Sequence, residues 1–154
     1  MYNIVTNGYL LDTSTISELL SLGINHAKIT IDGPPEIHNK RRRLKGSSAD
    51  TFSKIIENIK TAVRMGMKIR IRINVDKTNA LCLNELFQIL AKEGLQDCFV
   101  DLARVRGYTK AETSNTLNAI EYGNLRIEFA KLLKRNGFKQ CDDLCYPFRA
   151  FSMC

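Results

Sequence analysis

Lys68-Ile69-Arg70-Ile71-Arg72-Ile73-Asn74-Val75-Asp76 alternates polar and apolar side chains along its whole length. A strand sends successive side chains to opposite faces. One face therefore carries Ile69, Ile71, Ile73 and Val75, and the other carries Arg70, Arg72, Asn74 and Asp76. Parallel strands covered on both faces read as continuous apolar runs, and this one does not. Its apolar face suits packing under helices. Its polar face must meet water or a polar ligand, because burying unpaired charge is costly. Upstream, Ile29 and Ile31 face one way while Lys28, Thr30 and Asp32 face the other. Downstream, Phe99 to Val105 repeats the pattern more weakly, with Asp101 opposed to Val100 and Leu102. One such strand would fit a sheet edge. A succession of them predicts a polar cavity inside a curved parallel sheet.

Around these strands the chain reads as βα units. Strands are expected at Tyr2 to Thr6, about 27–32, about 67–75 and Phe99 to Val105. Helical periodicity covers about 13–22, about 50–65, about 83–93 and about 123–136. The second of these is the cleanest, with Phe52, Ile55, Ile56, Ile59, Ala62 and Val63 on one face. Thr15-x-x-Glu18 reads as a capping box for the first helix. Gly23, Gly66, Gly94 and Gly137 each follow a helical run, as stop glycines do. The order βαβαβαβα predicts an α/β fold of four parallel strands and about four helices, joined by right-handed crossovers. A closed barrel of this kind needs about eight strands, so the sheet is open or belongs to a larger barrel.

Ligands of parallel α/β proteins gather at the C-terminal strand ends. Here Ile29-Thr30-Ile31-Asp32 breaks sharply at Gly33-Pro34 and enters a polar loop running to about Ser48. That loop holds His38 and the basic run Lys40-Arg41-Arg42-Arg43. Asp32 reads equally as a cap on the Gly-Pro turn or as a ligand contact. His38 reads as exposed, and the arginines read as solvated or as a contact for an acidic peptide.

Bulk properties narrow the classes. At 154 residues and 44% apolar composition the chain suits one core and one domain. No apolar run is long enough to span a membrane. Met1-Tyr2-Asn3-Ile4 lacks a signal-peptide layout, so a cytoplasmic protein is expected. The net charge of +7 is spread over 40–45, 60–72 and 131–139 without an interleaved aromatic stripe. Nucleic acid is therefore not an expected partner, whereas an anionic ligand fits. The five cysteines are odd in number, which disfavours a disulfide framework. Cys82 and Cys98 read as core thiols. Cys141, Cys145 and Cys154 cluster near the end as C-x3-C-x8-C and are candidate ligands of a metal or an iron–sulfur cluster.

Three stretches resemble the radical S-adenosylmethionine (SAM) enzymes, in the peptide- and sulfatase-maturing branch that carries a cysteine-rich SPASM-type extension. Val5-Thr6-Asn7-Gly8-Tyr9-Leu10-Leu11 is similar to a strand of that family ending in Thr-Asn-Gly. Ile29 to Asn39, with the basic loop and Thr51 to Ile59, is similar to the next strand, loop and helix. Ile71 to Asp76 is similar to the strand after that, so the match runs over roughly 2–105. The resemblance implies a partial (β/α)6 TIM barrel whose strand ends hold SAM beside a [4Fe-4S] cluster. It implies that Thr30, Asp32, Arg72 and Asn74 bind SAM, Thr30 standing where the family usually has Ser. It implies residues 1–138 as barrel and 139–154 as the start of the extension, with Cys145, Cys154 and Cys141 toward an auxiliary cluster. It further implies a 5′-deoxyadenosyl radical taking hydrogen from a peptide or protein substrate.

One departure is large: the C-x3-C-x2-C motif that holds the family's SAM cluster occurs nowhere in this sequence. The expectation is an internal fragment, inactive alone and prone to self-association through its exposed Tyr2–Thr6 strand edge. Two other readings stay open: a small α/β protein binding an anionic ligand, and a metal-binding module built on the C-terminal cysteines.

Overall fold

The computed structural model describes residues 2–46, 49–107 and 110–139. Cys141, Cys145 and Cys154 lie outside them, as does the extension proposed for 139–154 beyond Lys139. Four strands, β1 (Tyr2–Thr6), β2 (Ile24–Thr30), β3 (Lys68–Val75) and β4 (Phe99–Arg104), form one sheet in the order β1-β2-β3-β4. Every neighbouring pair is parallel. The sheet is open here, with β1 and β4 at its edges.

Between the strands run α1 (Thr13–Ser21), α2 (Pro35–Arg41), α3 (Thr51–Arg64), a short 3-10 turn at Ala80–Cys82, and α4 (Leu83–Lys92). After β4 come α5 (Lys110–Asn115) and α6 (Ala119–Arg135). One apolar core joins the sheet to the helices. Ile29 and Ile31 at β2, Ile69, Ile71 and Ile73 of β3, and Val100 of β4 meet Phe52, Ile55 and Ile59 of α3 and Leu86, Phe87 and Leu90 of α4. Phe87 stands edge-on to Phe129 of α6 and to Phe138, at centroid distances of 5.5 and 5.2 Å. The period-two pattern of β3 is realised directly: its isoleucines are buried while Arg70, Arg72 and Asn74 remain partly exposed.

Several boundaries differ from the sequence reading. Asp12, not Thr15, caps α1, its carboxylate accepting from the Thr15 backbone N–H at 2.9 Å. α6 starts at Ala119, because Asn118 and Glu121 form a reciprocal capping box. β2 begins directly after Gly23 and ends at Thr30, since the Asp32 N–H turns away from the sheet to His38. The expected loop after Gly33 contains α2, whose start is marked by Pro34 and Pro35, residues that suit the first positions of a helix. Gly33 makes that strand-to-helix turn at φ 154°, and a Cβ there would lie 3.0 Å from Ile37 Cγ2. Only a residue without a side chain fits the approach.

Candidate functional site

The C-terminal ends of β2 and β3 are tied together by side chains rather than by more ladder. Thr30 lies directly beside Arg72 across the β2–β3 ladder. Arg72 Nε donates to Asn74 Oδ1 at 3.1 Å, and Asn74 Nδ2 donates to Asp32 Oδ1 at 3.2 Å. Thr30, Asp32, Arg72 and Asn74 thus form one continuous cluster at the strand ends. Asp32 is 5% exposed, and its second oxygen takes Arg42 Nε at 2.6 Å. A carboxylate has about four lone-pair positions, so Asp32 keeps acceptor capacity beyond these two bonds.

α2 closes the cluster from behind. Its last turn delivers Arg41 to Asp76, with Nη2 at 2.7 and 2.8 Å from the two carboxylate oxygens, and also to the Thr78 hydroxyl. Arg42 follows to Asp32. The basic run is therefore not a uniformly solvated stretch: Arg41 and Arg42 are engaged by strand-end carboxylates, and Arg43 alone of the three arginines is exposed. At Asp76, burial raises the carboxyl, yet the hydrogen bonds from Thr78 and Arg41 outweigh it and hold the pKa below its ordinary value.

His38 overturns its sequence reading, being fully buried rather than exposed. Its Nδ1 accepts the Asp32 backbone N–H at 3.3 Å, and its ring stands edge-on to Phe52 at 5.8 Å. Accepting at Nδ1 leaves the proton of the neutral ring on Nε2, which is buried without a partner among the described residues. Burial first, and then Arg42, push the His38 pKa down to about 4 against the opposing pull of Asp32 and Asp50. The ring is neutral at physiological pH.

Asn79 was not foreseen. It is fully buried. Its Nδ2 donates to the Asp32 and Asn74 carbonyls at 2.6 and 2.9 Å, and its Oδ1 accepts from the Asp76 N–H at 2.9 Å. It clamps the two strand ends together. The only sequence hint was Asp76-Lys77-Thr78-Asn79, a run rich in turn formers.

The cleft in front of this cluster is about 1310 Å³ and extends from Asp32, Arg42 and Asp76 to Arg104, Tyr122 and Arg126. Tyr122 on α6 donates its hydroxyl to the Leu102 carbonyl of edge strand β4 at 2.8 Å. Arg104 lies 5.9 Å from the Tyr122 ring centroid. Burial holds the Tyr122 phenol above its ordinary pKa, against the pull of Arg126, Arg104 and Arg72. Lower on the same face Asp101 joins Arg70 at 3.0 Å and Lys28 at 3.8 Å, linking β2, β3 and β4.

The donor set suits SAM. Thr30 is 9% exposed and does not itself line the cleft, while Arg72, beside it on the ladder, lines the cleft with a guanidinium whose terminal nitrogens have no protein partner among the described residues. Such a fork matches a carboxylate bidentately. An iron–sulfur cluster does not suit it: among the described residues no group of three His, Cys, Asp or Glu side chains could hold a metal. Cys98 is buried and its thiol is pushed up to about 11, chiefly by desolvation, so it stays protonated. No described helix is long and apolar enough to cross a membrane.

No family model matches the chain. It is 27% identical over 100 residues to the Fe-coproporphyrin III synthase of Methanosarcina barkeri, covering 64% of this chain and 24% of that protein. The fold matches anSMEcpe, solved with bound AdoMet and the Cp18Cys peptide, at TM-score 0.71 and 20% identity, over 88% of this chain and 39% of that one. A domain of a pyruvate-formate lyase-activating enzyme from Bacteroides vulgatus matches at TM-score 0.58 and 13% identity, over 89% of this chain and 77% of that one. The chain thus spans about a quarter of the synthase and two-fifths of anSMEcpe. These similarities agree with the resemblance read from the three sequence stretches, and the chain shares with these structures a fold of four parallel strands alternating with helices.

Proposed function

We propose that these βα units are the SAM- and substrate-positioning side of a radical SAM enzyme that modifies a peptide or protein. The observation that carries this reading is the convergence of Thr30, Asp32, Arg72 and Asn74 at the strand ends, on a fold whose solved relative anSMEcpe holds AdoMet and a peptide. SAM, when bound in this family, supplies radical chemistry. Here Thr30 would hold a ribose hydroxyl, and Arg72 the methionyl carboxylate through its fork. Asn74 fixes the Arg72 fork and Asp32 fixes Asn74, while His38 and Asn79 fix the Asp32 backbone. Prepositioned groups of this kind lose little entropy when the ligand docks.

The three-cysteine [4Fe-4S] site is not among the described residues, so the chain by itself is proposed to bind SAM without turning it over. Cys141, Cys145 and Cys154 are proposed as the beginning of a SPASM-like extension, and the protein as cytoplasmic.

Saturation-transfer NMR with SAM tests the reading, since it detects weak binding. Transfer to the SAM protons is expected, weakened at least tenfold in Arg72→Ala and Thr30→Val. A folded chain that gives no transfer overturns it. Reading the DNA upstream of Met1 adds a second arm: an in-frame C-x3-C-x2-C supports the assignment, and a stop codon with a ribosome-binding site there argues against radical catalysis.

A second reading, a SAM-independent protein for an anionic ligand, is favoured by the number of arginines in the cleft. It predicts anion binding with no transfer to SAM.

A further inference from the structure

The cleft has two unlike walls. On the α2 side, Arg41 and Arg42 are neutralised by Asp76 and Asp32. On the opposite side, Arg104 at the end of β4, Arg106 just beyond it and Arg126 of α6 line the same cleft with Arg72. None of these four has a carboxylate partner among the described residues. Among the described residues the nearby acids are committed elsewhere: Asp101 to Arg70 and Lys28, and Glu121 to Lys77 at 3.9 Å and to the α6 cap. Arg126 lies one helical turn beyond Tyr122, so both project from one side of α6. Tyr122 is itself tied to β4 by its hydroxyl. Unneutralised guanidinium groups crowded into one concavity repel one another, and focus a positive field where a ligand must sit.

We propose that this wall is the substrate-recognition surface and that it takes an acidic peptide segment, its side-chain carboxylates held by Arg104 and Arg126 while Tyr122 packs against the chain. The inference rests on the reading of the strand-end cluster as a SAM site, since Arg72 is then occupied by the cofactor and the other three face the substrate. A peptide is favoured over a small anion because the guanidinium groups are spread over two elements, the end of β4 and α6, with Tyr122 between them, and because the solved relative anSMEcpe holds a peptide together with AdoMet. Guanidinium forks match carboxylates bidentately and are weakly hydrated, so they bind such groups better than lysines would.

The test is fluorescence anisotropy of the whole 154-residue chain with a labelled hexapeptide rich in Glu, and with its Glu→Gln counterpart. The acidic peptide is expected to bind at least tenfold more tightly. The double variant Arg104→Gln/Arg126→Gln is expected to remove that preference, whereas Arg135→Gln, exposed at the far end of α6, retains it. Arg126→Lys keeps the charge, controls for folding, and should restore part of the binding. Equal binding of the two peptides, or a double variant with undiminished preference, overturns the proposal. So does citrate displacing the peptide at equal carboxylate concentration, which would make this a small-anion site. Saturation transfer to SAM on the same samples separates the two claims. SAM binding without peptide preference overturns the recognition wall alone. Peptide preference without SAM binding overturns the cofactor reading and leaves the wall.

Discussion

The two faces of β3 share one backbone and obey different physics. Ile69, Ile71, Ile73 and Val75 are at most 3% exposed, and the three isoleucines join the core shared with the helices. Arg70, Arg72 and Asn74, one residue out of step with them, stand partly exposed and are held by directional bonds to Asp101, Asn74 and Asp32. The first face gains its stabilisation from apolar area removed from water, roughly 25 cal/mol per Å². The second gains little net free energy, because each exposed hydrogen bond replaces one to water. The comparison teaches that stability and ligand chemistry are separated by the alternation of the strand. Odd-numbered positions carry the fold and even-numbered positions carry the site.

The sharpest way to break that division is Ile71→Ala. Ile71 is fully buried between sheet and helices. Its truncation is expected to cost about 2–5 kcal/mol, as transfer and cavity contributions add. Urea unfolding measures it, and a loss below about 1 kcal/mol would mean that the apolar face is not the source of stability.

His38 tests the division from the polar side, because it is a polar group built into the core. Its folded pKa is about 4 against an ordinary 6.5, so folding favours the neutral ring. The unfolded chain takes up the proton first as pH falls. The contribution of His38 is complete above pH 6.5 and is lost as pH drops toward 4. By pH 5 the loss is about 2 kcal/mol. His38→Asn keeps an acceptor for the Asp32 N–H and removes the titration. Its unfolding free energy is expected to be flat between pH 6.5 and 5, where the parent declines. Parallel curves for the two proteins would show that the ring titrates in the folded state.

Asp32→Ala should fall lower, at about 1–3 kcal/mol, because Asn74 and Arg42 lose their acceptor. Arg42, one-third exposed, is re-solvated easily. Chemical denaturation with a matched Arg42→Ala cycle isolates the pair. A coupling energy near zero would mean that the carboxylate is held by Asn74 and the strand ends alone. Arg72→Ala comes next, with a stability change within about 0.5 kcal/mol and a tenfold or greater loss of SAM transfer. A stability loss matching that of Ile71→Ala would erase the distinction between the faces.

How much of this was legible beforehand follows from the same distinction. Alternation in Lys68–Asp76 is a purely local signal, so the two faces of β3 could be read directly; the parallel order followed from strands alternating with helices, and Thr30, Asp32, Arg72 and Asn74 were singled out only by the resemblance. α2 was hidden because its inward face contains a histidine, and a lone His in Pro35–Arg41 gives no apolar period. Its burial depends on Phe52 and Asp32 arriving from elsewhere. Asn79 was invisible for a related reason: its three bonds reach backbone groups up to 47 residues away, and backbone groups leave no trace in composition. Tyr122 was missed because α6 was started four residues late, which discarded the turn carrying Asn118 and Glu121, whereas Arg126 lay within the expected helix and its place in the cleft depends on Arg104 and Tyr122 arriving beside it.

The smallest effect on stability concerns the sheet's edge rather than its faces. β1 is an edge strand, with Val5 71% exposed on the polar side and Leu10 77% exposed just beyond its end. An unpaired parallel edge with exposed apolar side chains is a template for another copy of the chain. Val5→Lys adds the charge by which natural edge strands resist such pairing. Because Val5 buries little area, unfolding free energy should change by less than about 0.5 kcal/mol. Sedimentation velocity should nevertheless show the parent chain associating with concentration and the variant remaining monomeric. Equal association of the two would move the contact away from β1. Association by both that disappears on Arg104→Gln/Arg126→Gln would place it at the β4 side of the cleft instead, making the recognition wall and the self-contact one surface.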